Sequence, residues 1–335
     1  MTSSSNAQWR LAARPVGAPK PSDWSFVEEP AASPADGQFV VENLFLSLDP
    51  AMRGWLGEAK SYMPPVAVGD VMRAVGAGRV IESRNAAFPV GAHVTGVFGV
   101  QRLAVSDGRG ASIVDPSLAP LPVWLGALGL PGLTAYFGLF DVGRMAAGEC
   151  VVVSGAAGAV GSVVGQIAKA RGARVVGIAG GAAKCAWLRE LGFDATIDYK
   201  APGVKLKHAL REACPEGIDV YFDNVGGDTL DAALAVLARH ARVIVCGAIS
   251  QYNNAGPIRG PANYLSLLVN RASMTGFVVL DYAARYAEGI AALAGWYASG
   301  ALKTRETTIT GLSEFPRALD ALFAGENIGK MILAL

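Results

Sequence analysis

A glycine-rich segment between an apolar strand and a helix is the part of the chain whose residue types most directly suggest binding chemistry. Gly155, Gly158 and Gly161 are spaced Gly-x-x-Gly-x-x-Gly. They follow the predicted strand Cys150–Ser154 and open the predicted helix Ala159–Ala170. The first N–H groups of a helix have no partner inside it and, with the helix dipole, attract a phosphate. The segment predicts a pyrophosphate site, although its spacing differs from the commonest Gly-x-Gly-x-x-Gly, and a turn that only packs a helix on a sheet is the alternative.

The residues after the next predicted strand, Arg174–Ala179, indicate which dinucleotide such a site would take. Enzymes that use NAD place an acidic residue at the end of this strand to bind the ribose hydroxyl, and none stands there. Gly180 and Gly181 follow instead, with Lys184 close behind and Tyr199 after the third strand. A lysine ammonium pairs with a dianionic 2′-phosphate, and a tyrosine adds a hydrogen bond. The pattern favours NADPH/NADP+, while the alternative for Lys184 is an ordinary solvated lysine.

These residues lie in a stretch where predicted strands and helices alternate, which is typical of a parallel sheet wound with helices. Further strands are predicted at Val220–Asp223 and Arg242–Val245, and a helix at Ala182–Leu191. Repeated units of this kind place a ligand crevice at the carboxyl ends of the strands. We therefore expect residues 129–299 to form a Rossmann-type, doubly wound parallel sheet domain.

The first third of the sequence predicts a different kind of unit. Its segments Phe39–Leu46, Val71–Ile81 and His93–Val105 are rich in β-branched residues and punctuated by glycine, which indicates an antiparallel, barrel-like sheet. The tail from about Leu302 to Leu335 has the pattern strand, helix, strand and is expected to pack back on this unit. The chain is thus predicted to be an α/β protein in which residues 1–128 and 300–335 form the other domain.

Composition and charge exclude several classes of partner. The 29 basic and 28 acidic side chains nearly cancel, and no run of Lys and Arg could neutralise consecutive phosphates, so no nucleic acid is expected to bind. The uncharged stretch Leu118–Phe140 is long enough to span a membrane, but three prolines and four glycines break it, so a buried position is expected instead. Scattered cysteines and a polar N-terminus without a signal peptide favour a cytoplasmic location.

Six segments, in order along the chain, carry a family likeness. They are Ser47–Arg53, Ser154–Gly161, Lys184 with Gly192–Asp194 and Tyr199, Phe222–Gly227, Cys246–Asn253, and Gly325–Lys330. Together they resemble the medium-chain dehydrogenase/reductases, within them the zinc-independent group of leukotriene/prostaglandin reductases, plant alkenal double-bond reductases and bacterial curcumin reductases. The resemblance covers nearly the whole chain. It implies a GroES-like antiparallel β-barrel domain that carries the substrate, a Rossmann-type NADPH-binding domain, and a homodimer.

The resemblance also implies which residues contact the cofactor. Lys184 and Tyr199 would hold the 2′-phosphate, in agreement with the pattern described above. One departure is Val269, where some animal members carry a tyrosine near the nicotinamide. The residues implied to meet the pyrophosphate are Gly158, Ala159, Val160 and Gly161. Those implied to line the adenosine and nicotinamide halves are Asn224, Cys246, Gly247, Ala248, Ile249, Ser250, Gln251, Tyr252, Phe277, Val278, Val279 and Asn327.

A zinc site is not expected in this chain. Zinc-dependent relatives polarise a carbonyl group with a metal held by Cys and His of the first domain. The first 140 residues here contain no cysteine and only one histidine, His93, so those ligands are missing. A zinc alcohol dehydrogenase is therefore a poor interpretation of the sequence.

Two tyrosines are candidates for the chemistry that remains possible without a metal. Conjugate addition of a hydride to the β-carbon of an enone leaves negative charge on the carbonyl oxygen, which a hydroxyl donor can stabilise. Tyr252 follows a strand at the predicted crevice, and Tyr62 lies in a Pro-anchored loop that could cover an apolar substrate. For each tyrosine the alternative is a loop aromatic that covers apolar surface.

The sequence predicts NADPH-dependent reduction of the C=C bond of small, apolar α,β-unsaturated ketones or aldehydes. An NADPH quinone reductase of the same superfamily is the alternative within enzymes. A catalytically idle NADPH-binding sensor is the alternative from another class, since it would keep the glycine turn and Lys184 without needing Tyr252.

Overall fold

Two units share the chain, and one of them is built from two separated segments. The computed structural model describes residues 5–258 and 260–335. Unit 1 holds the described residues up to Gly126 together with Glu306–Leu335, and unit 2 holds Ala127–Arg305. The sequence of unit 2 is therefore inserted into that of unit 1.

The first segment of unit 1 consists mainly of strands. The strand-like stretch His93–Val105 contains two of them, because a turn at Gly99, which has a φ of +75°, interrupts it. The stretch Val71–Ile81 becomes a strand only from Val75 onward. The elements are β1 (Ser5–Leu11), β2 (Trp24–Pro30), β3 (Phe39–Ser47), α1 (Met52–Trp55), β4 (Val75–Ser83), β5 (His93–Val97), β6 (Leu103–Ser106), β7 (Ser112–Ile113) and α2 (Leu121–Trp124).

Unit 2 alternates strands and helices. The predicted elements Cys150–Ser154, Ala159–Ala170 and Arg174–Ala179 are confirmed to the residue, because glycine or an apolar run marks each boundary. The elements are α3 (Leu130–Phe137), β8 (Cys150–Ser154), α4 (Ala159–Ala170), β9 (Arg174–Ala179), α5 (Ala182–Glu190), β10 (Ala195–Asp198), α6 (Leu206–Ala213), β11 (Ile218–Asp223), α7 (Gly227–Leu234), β12 (Leu237–Val245), α8 (Ile249–Tyr252), α9 (Leu265–Asn270), β13 (Ser273–Gly276) and α10 (Tyr286–Ala298).

The sheet of unit 2 confirms the predicted doubly wound fold. Its order is β10-β9-β8-β11-β12-β13, and every neighbouring pair is parallel. In chain order this is 3-2-1-4-5-6, so the direction of winding reverses between β8 and β11. Ligands bind such sheets outside the carboxyl ends of the strands at that reversal. The core below contains fully buried aliphatic residues such as Val152, Val176 and Val243.

The tail, Glu306–Leu335, belongs to unit 1. It forms β14 (Glu306–Thr310), α11 (Phe315–Ala324) and β15 (Lys330–Ala334). The main sheet of unit 1 has the order β14-β15-β3-β4-β5-β7, with β6 paired to β3. All its pairs are antiparallel except β14 with β15. The predicted antiparallel domain is thus confirmed, with one parallel pair at its edge.

A buried lysine fastens the tail to the first segment of unit 1. Lys330, which is 3% exposed, donates from Nζ to the carbonyl oxygen of Leu48 at 2.6 Å and to Oδ1 of Asp49 at 3.1 Å. Burial lowers the pKa of Lys330, and the carboxylate of Asp49 opposes that effect. The ion pair therefore joins β15 to the turn after β3.

The uncharged stretch Leu118–Phe140 is divided between the short helices α2 and α3, each with a proline in its first turn. Among the residues that the structure describes, none of the helices has both the length and the apolar character needed to cross a membrane.

Candidate functional site

The carboxyl ends of the six parallel strands bring most of the predicted site residues to one edge of unit 2. Tyr199 follows β10, Lys184 follows β9, and Gly158 follows β8. Asn224 follows β11, and Tyr252 lies in the segment after β12. Because neighbouring strands are about 4.8 Å apart, the row from β9 to β13 extends over roughly 19 Å. The geometry suits an elongated ligand that lies across the strand ends.

The glycine turn after β8 is shaped for close approach to such a ligand. Gly155 has a φ of +57°, in the left-handed region that favours glycine. A Cβ atom on Gly161 would lie 2.5 Å from the carbonyl oxygen of Gly155 and 2.8 Å from Cα of Ala156. At this end of α4 the N–H of Ser162 donates to the carbonyl oxygen of Gly158 at 3.1 Å. The N–H groups of the first turn of α4, including Gly161, can therefore face an anion.

A network at the reversal point joins the ends of β8 and β11. The Ser154 hydroxyl donates to Oδ1 of Asp223 at 2.8 Å and accepts the N–H of Asn224 at 2.9 Å. Nδ2 of Asn224 donates to the carbonyl oxygen of Ser154 at 2.7 Å. The amide of Asn224 is thus fixed in orientation before any ligand binds. Sequence reasoning missed Ser154 and Asp223, because nothing in the local pattern shows that these two strands are neighbours.

Asp223 is the buried centre of that network. It is 0% exposed, and its Oδ1 also accepts the N–H groups of Val225 and Gly226 at 3.1 and 3.0 Å. Burial raises the pKa of Asp223, and the hydrogen bonds to its carboxylate partly offset this. Its other oxygen, Oδ2, is buried without a hydrogen-bond partner among the described residues. The carboxyl group therefore fixes the turn after β11 through the hydrogen bonds it accepts from the backbone.

The ends of β9 and β10 hold the residues predicted to select the cofactor. Oδ1 of Asp198 accepts the N–H of Gly181 at 2.8 Å, which ties the two strand ends together. Lys184 is half-buried in the first turn of α5, and burial lowers its pKa, as does the charge of Lys200. Tyr199, which follows β10, is 48% exposed. A 2′-phosphate is bound by cationic side chains and repelled by an acidic residue at the end of β9. This strand end has a lysine nearby and no acidic residue, so it fits NADPH.

The segment Cys246–Tyr252 is held against the end of β11 by backbone contacts. The N–H groups of Ile249 and Ser250 donate to the carbonyl oxygens of Asn224 and Val225 at 3.3 and 3.1 Å. Burial raises the pKa of the Cys246 thiol to about 12, so this sulfur stays protonated at neutral pH. The segment therefore forms a fixed wall of the site.

Tyr252 closes back over its own segment. Its hydroxyl oxygen accepts the N–H of Ala248 at 3.1 Å, and a Cβ atom on Gly247 would lie 3.1 Å from the same oxygen. Burial raises the pKa of Tyr252, and the Ala248 hydrogen bond opposes that effect. The hydroxyl therefore remains protonated near neutral pH and keeps its hydrogen available for a second partner.

Phe277, Val278 and Val279 follow β13 directly and are half-buried. The Phe277 ring lies edge-to-face with Phe222 and with Tyr282, each with ring centroids 6.4 Å apart. This segment thus borders an aromatic cluster at the far end of the row of strand ends.

Two predicted residues belong to unit 1. Asn327 is 8% exposed before β15 and donates from Nδ2 to the carbonyl oxygen of Gly329 at 2.7 Å. Tyr62 is 56% exposed in the loop between α1 and β4. The roles of both residues stay predictions.

The described residues contain no group of three His, Cys, Asp or Glu side chains arranged to hold a metal ion. His93 lies at the start of β5 and pairs with Arg79 of β4, as an ordinary strand residue does.

Comparisons with known proteins agree with this architecture. Residues 7–114 match the family "N-terminal domain of oxidoreductase", and residues 159–295 match the family "Zinc-binding dehydrogenase". The NADPH-dependent curcumin reductase of Escherichia coli (strain K12) is 41% identical over 336 residues, which cover 98% of this chain and 96% of that protein. Prostaglandin reductase 1 of Mus musculus is 41% identical over 321 residues, which cover 93% and 94%. The crystal structure of CurA from Vibrio vulnificus in complex with NADPH is 42% identical, with a TM-score of 0.92 and 98% of each chain covered.

Proposed function

Because the chain belongs to the zinc-independent medium-chain dehydrogenase/reductases, in the group of curcumin and prostaglandin reductases, we propose that it reduces α,β-unsaturated ketones or aldehydes. It is an NADPH-dependent oxidoreductase that acts on C=C bonds. The observation that carries the finer proposal is the order of side chains along the strand ends, with cations at one end and the Tyr252 hydroxyl towards the other.

The cofactor contacts are assigned strand by strand. The first turn of α4 would bind the pyrophosphate, and Lys184 with Tyr199 would bind the 2′-phosphate. The segments Cys246–Tyr252 and Phe277–Val279 would enclose the nicotinamide half, and Asn224 would offer its fixed amide. When bound, NADPH supplies the hydride for the β-carbon of the substrate.

Tyr252 would stabilise the charge that develops on the substrate carbonyl oxygen. Its raised pKa makes it a hydrogen-bond donor rather than a proton source at neutral pH. The N–H that Ala248 donates to its oxygen polarises the O–H bond and strengthens it as a donor. The proton for the α-carbon would then come from water or from the cofactor ribose hydroxyl. Tyr62 is proposed as a substrate contact from unit 1.

The test of this function is NADPH oxidation, followed by its absorbance, with a panel of enones, alkenals and quinones. We expect turnover of the enones and alkenals to saturated carbonyl products, unchanged by a metal chelator. Product identification by mass spectrometry distinguishes C=C from C=O reduction. Activity confined to quinones would support a quinone reductase instead, and tight NADPH binding without any turnover would support a sensor.

We also propose a homodimer that forms through the edge of the unit 2 sheet. β13 pairs with β12 on one side only, and all four of its residues, Ser273–Gly276, are exposed. This edge carries no charge or proline, the features that usually protect a free strand. Leu268 and Val269 of α9, the helix that precedes β13 in the chain, are 75% and 67% exposed. A second copy related by a twofold axis would cover this edge and the apolar patch with the same residues.

The dimer is tested by Leu268→Glu, which puts a charge into the apolar patch. We expect the wild-type protein to have the mass of two chains by light scattering and the variant to have the mass of one. Val90→Glu is the matched control: Val90 is 63% exposed, belongs to unit 1 and is not part of the proposed interface, so this variant should leave the mass unchanged. A monomeric wild type, or a variant that stays dimeric, would contradict the proposed interface.

A further inference from the structure

Lys200, which follows Tyr199, lies against the turn after β9 instead of extending straight from the surface. A Cβ atom on Gly180 would lie 3.0 Å from both Cδ and Cε of Lys200 and 3.1 Å from Cε1 of Tyr199. The aliphatic stem of Lys200 therefore crosses the backbone of Gly180, at the strand end where a dinucleotide fold selects its cofactor. A side chain at position 180 would make the Lys200 stem shift by a few tenths of an ångström.

The backbone holds Lys200 in that position. Its N–H donates to Oδ1 of Asp198 at 3.0 Å, and the same oxygen accepts the N–H of Gly181 at 2.8 Å. The N–H of Tyr199 donates to the carbonyl oxygen of Ala179 at 3.2 Å. The start of the lysine side chain is thus tied to the end of β9.

Lys184 and Lys200 bring two positive charges to this point, where the Asp198 carboxylate is engaged by backbone N–H groups. Lys200 is close enough to Lys184 for its charge to contribute to the lowered pKa of that lysine, after burial. No carboxylate of the described residues lies within ion-pair distance of the Lys200 ammonium. Two cations held near each other repel. A bound anion of charge near −2 would attract both ammonium groups and so offset their mutual repulsion.

We propose that Lys200 is a second cation for the 2′-phosphate of NADPH, reaching it from the end of β10 while Lys184 reaches it from α5. The inference rests on the proposed cofactor site. A dianionic phosphate has three acceptor oxygens and can be contacted by more than one cation. Lys200 would therefore contribute to the preference for NADPH over NADH.

The test is Lys200→Met, which keeps a long apolar stem over Gly180 and removes the charge. Equilibrium binding of NADPH, NADH, 2′,5′-ADP and 5′-AMP is measured by calorimetry without substrate. We expect NADPH and 2′,5′-ADP to bind about 10-fold more weakly, since one charge-assisted hydrogen bond contributes about 1.5 kcal/mol. Binding of NADH and 5′-AMP should change less than about twofold. Lys207→Met on α6 removes the same charge and is the matched control, expected to leave all four ligands unaffected.

Equal weakening of NADPH and NADH would mean that Lys200 only shapes the turn, and unchanged binding of both would mean that it contacts no phosphate; either result overturns the proposal. Lys184→Met separates this inference from the assignment on which it rests. If only Lys184→Met reduces the preference for NADPH, Lys184 keeps its role and Lys200 loses it. If the wild-type protein binds NADH as tightly as NADPH, the 2′-phosphate site itself is wrong.

Discussion

Tyr252→Phe is expected to lower kcat about 100-fold, because removal of one donor from an oxyanion site commonly has an effect of this size. The dissociation constant of NADPH should change less than about threefold, since the hydroxyl would act on the charge that develops in the substrate. Stopped-flow measurement of hydride transfer and direct titration of NADPH separate the two effects.

The same substitution has a structural consequence that must be measured. Without the hydroxyl, the N–H of Ala248 loses its acceptor, which costs about 1 kcal/mol of stability. Thermal unfolding of the variant measures this loss separately. Tyr297→Phe, on α10, is the matched control and should leave kcat within twofold. A Tyr252→Phe enzyme with normal kcat and a raised KM would mean that the ring only packs against the substrate.

Gly161→Ala is expected to weaken NADPH binding about 100-fold, the largest effect on the cofactor among these variants. The added Cβ would stand 2.5 Å from the carbonyl oxygen of Gly155, so the start of α4 must move away from the turn after β8. The shift would withdraw its N–H groups from the pyrophosphate, and two lost charge-assisted hydrogen bonds amount to about 3 kcal/mol. Overpacking should also lower the free energy of unfolding by about 1 to 3 kcal/mol.

Gly295→Ala is the matched control for this substitution. Gly295 lies inside α10, and a Cβ atom there would have nothing within 4 Å. The control should bind NADPH normally and gain up to about 1 kcal/mol of stability from its better helix propensity. If Gly161→Ala bound NADPH as well as this control does, α4 would not be the pyrophosphate site.

The sequence predicted the βα units of unit 2 well because their signals are local. Apolar runs define β8 and β9, and glycines mark the turns between elements. The strands of unit 1 are less predictable, since β3 pairs with β6, about 60 residues later, and with β15, almost 300 residues later. Such pairing depends on contacts between distant residues.

The candidate site residues could be chosen from the sequence where they lie in one turn directly after a predicted strand. Lys184 and the glycine turn are visible from the order of elements, whereas the contact of Ser154 with Asp223 requires β8 to lie next to β11. The same holds for the proposed role of Lys200. It depends on the contact with Gly180, which is 20 residues away in sequence but adjacent across the ends of β9 and β10. Tyr252 was a candidate from its place after a strand, whereas its turn back onto Ala248 is a three-dimensional detail.

The position of β15 has a consequence for synthesis on the ribosome. All six strands of the unit 2 sheet are made before β15, which lies between β14 and β3 in the sheet of unit 1. Unit 2 can therefore complete its sheet while unit 1 still lacks an inner strand and the Lys330 contacts to Leu48 and Asp49. The Phe45–Ser47 end of β3, which pairs with β15, therefore stays an unpaired strand edge in the nascent chain until β15 is made, whereas β6 already covers Phe39–Glu42.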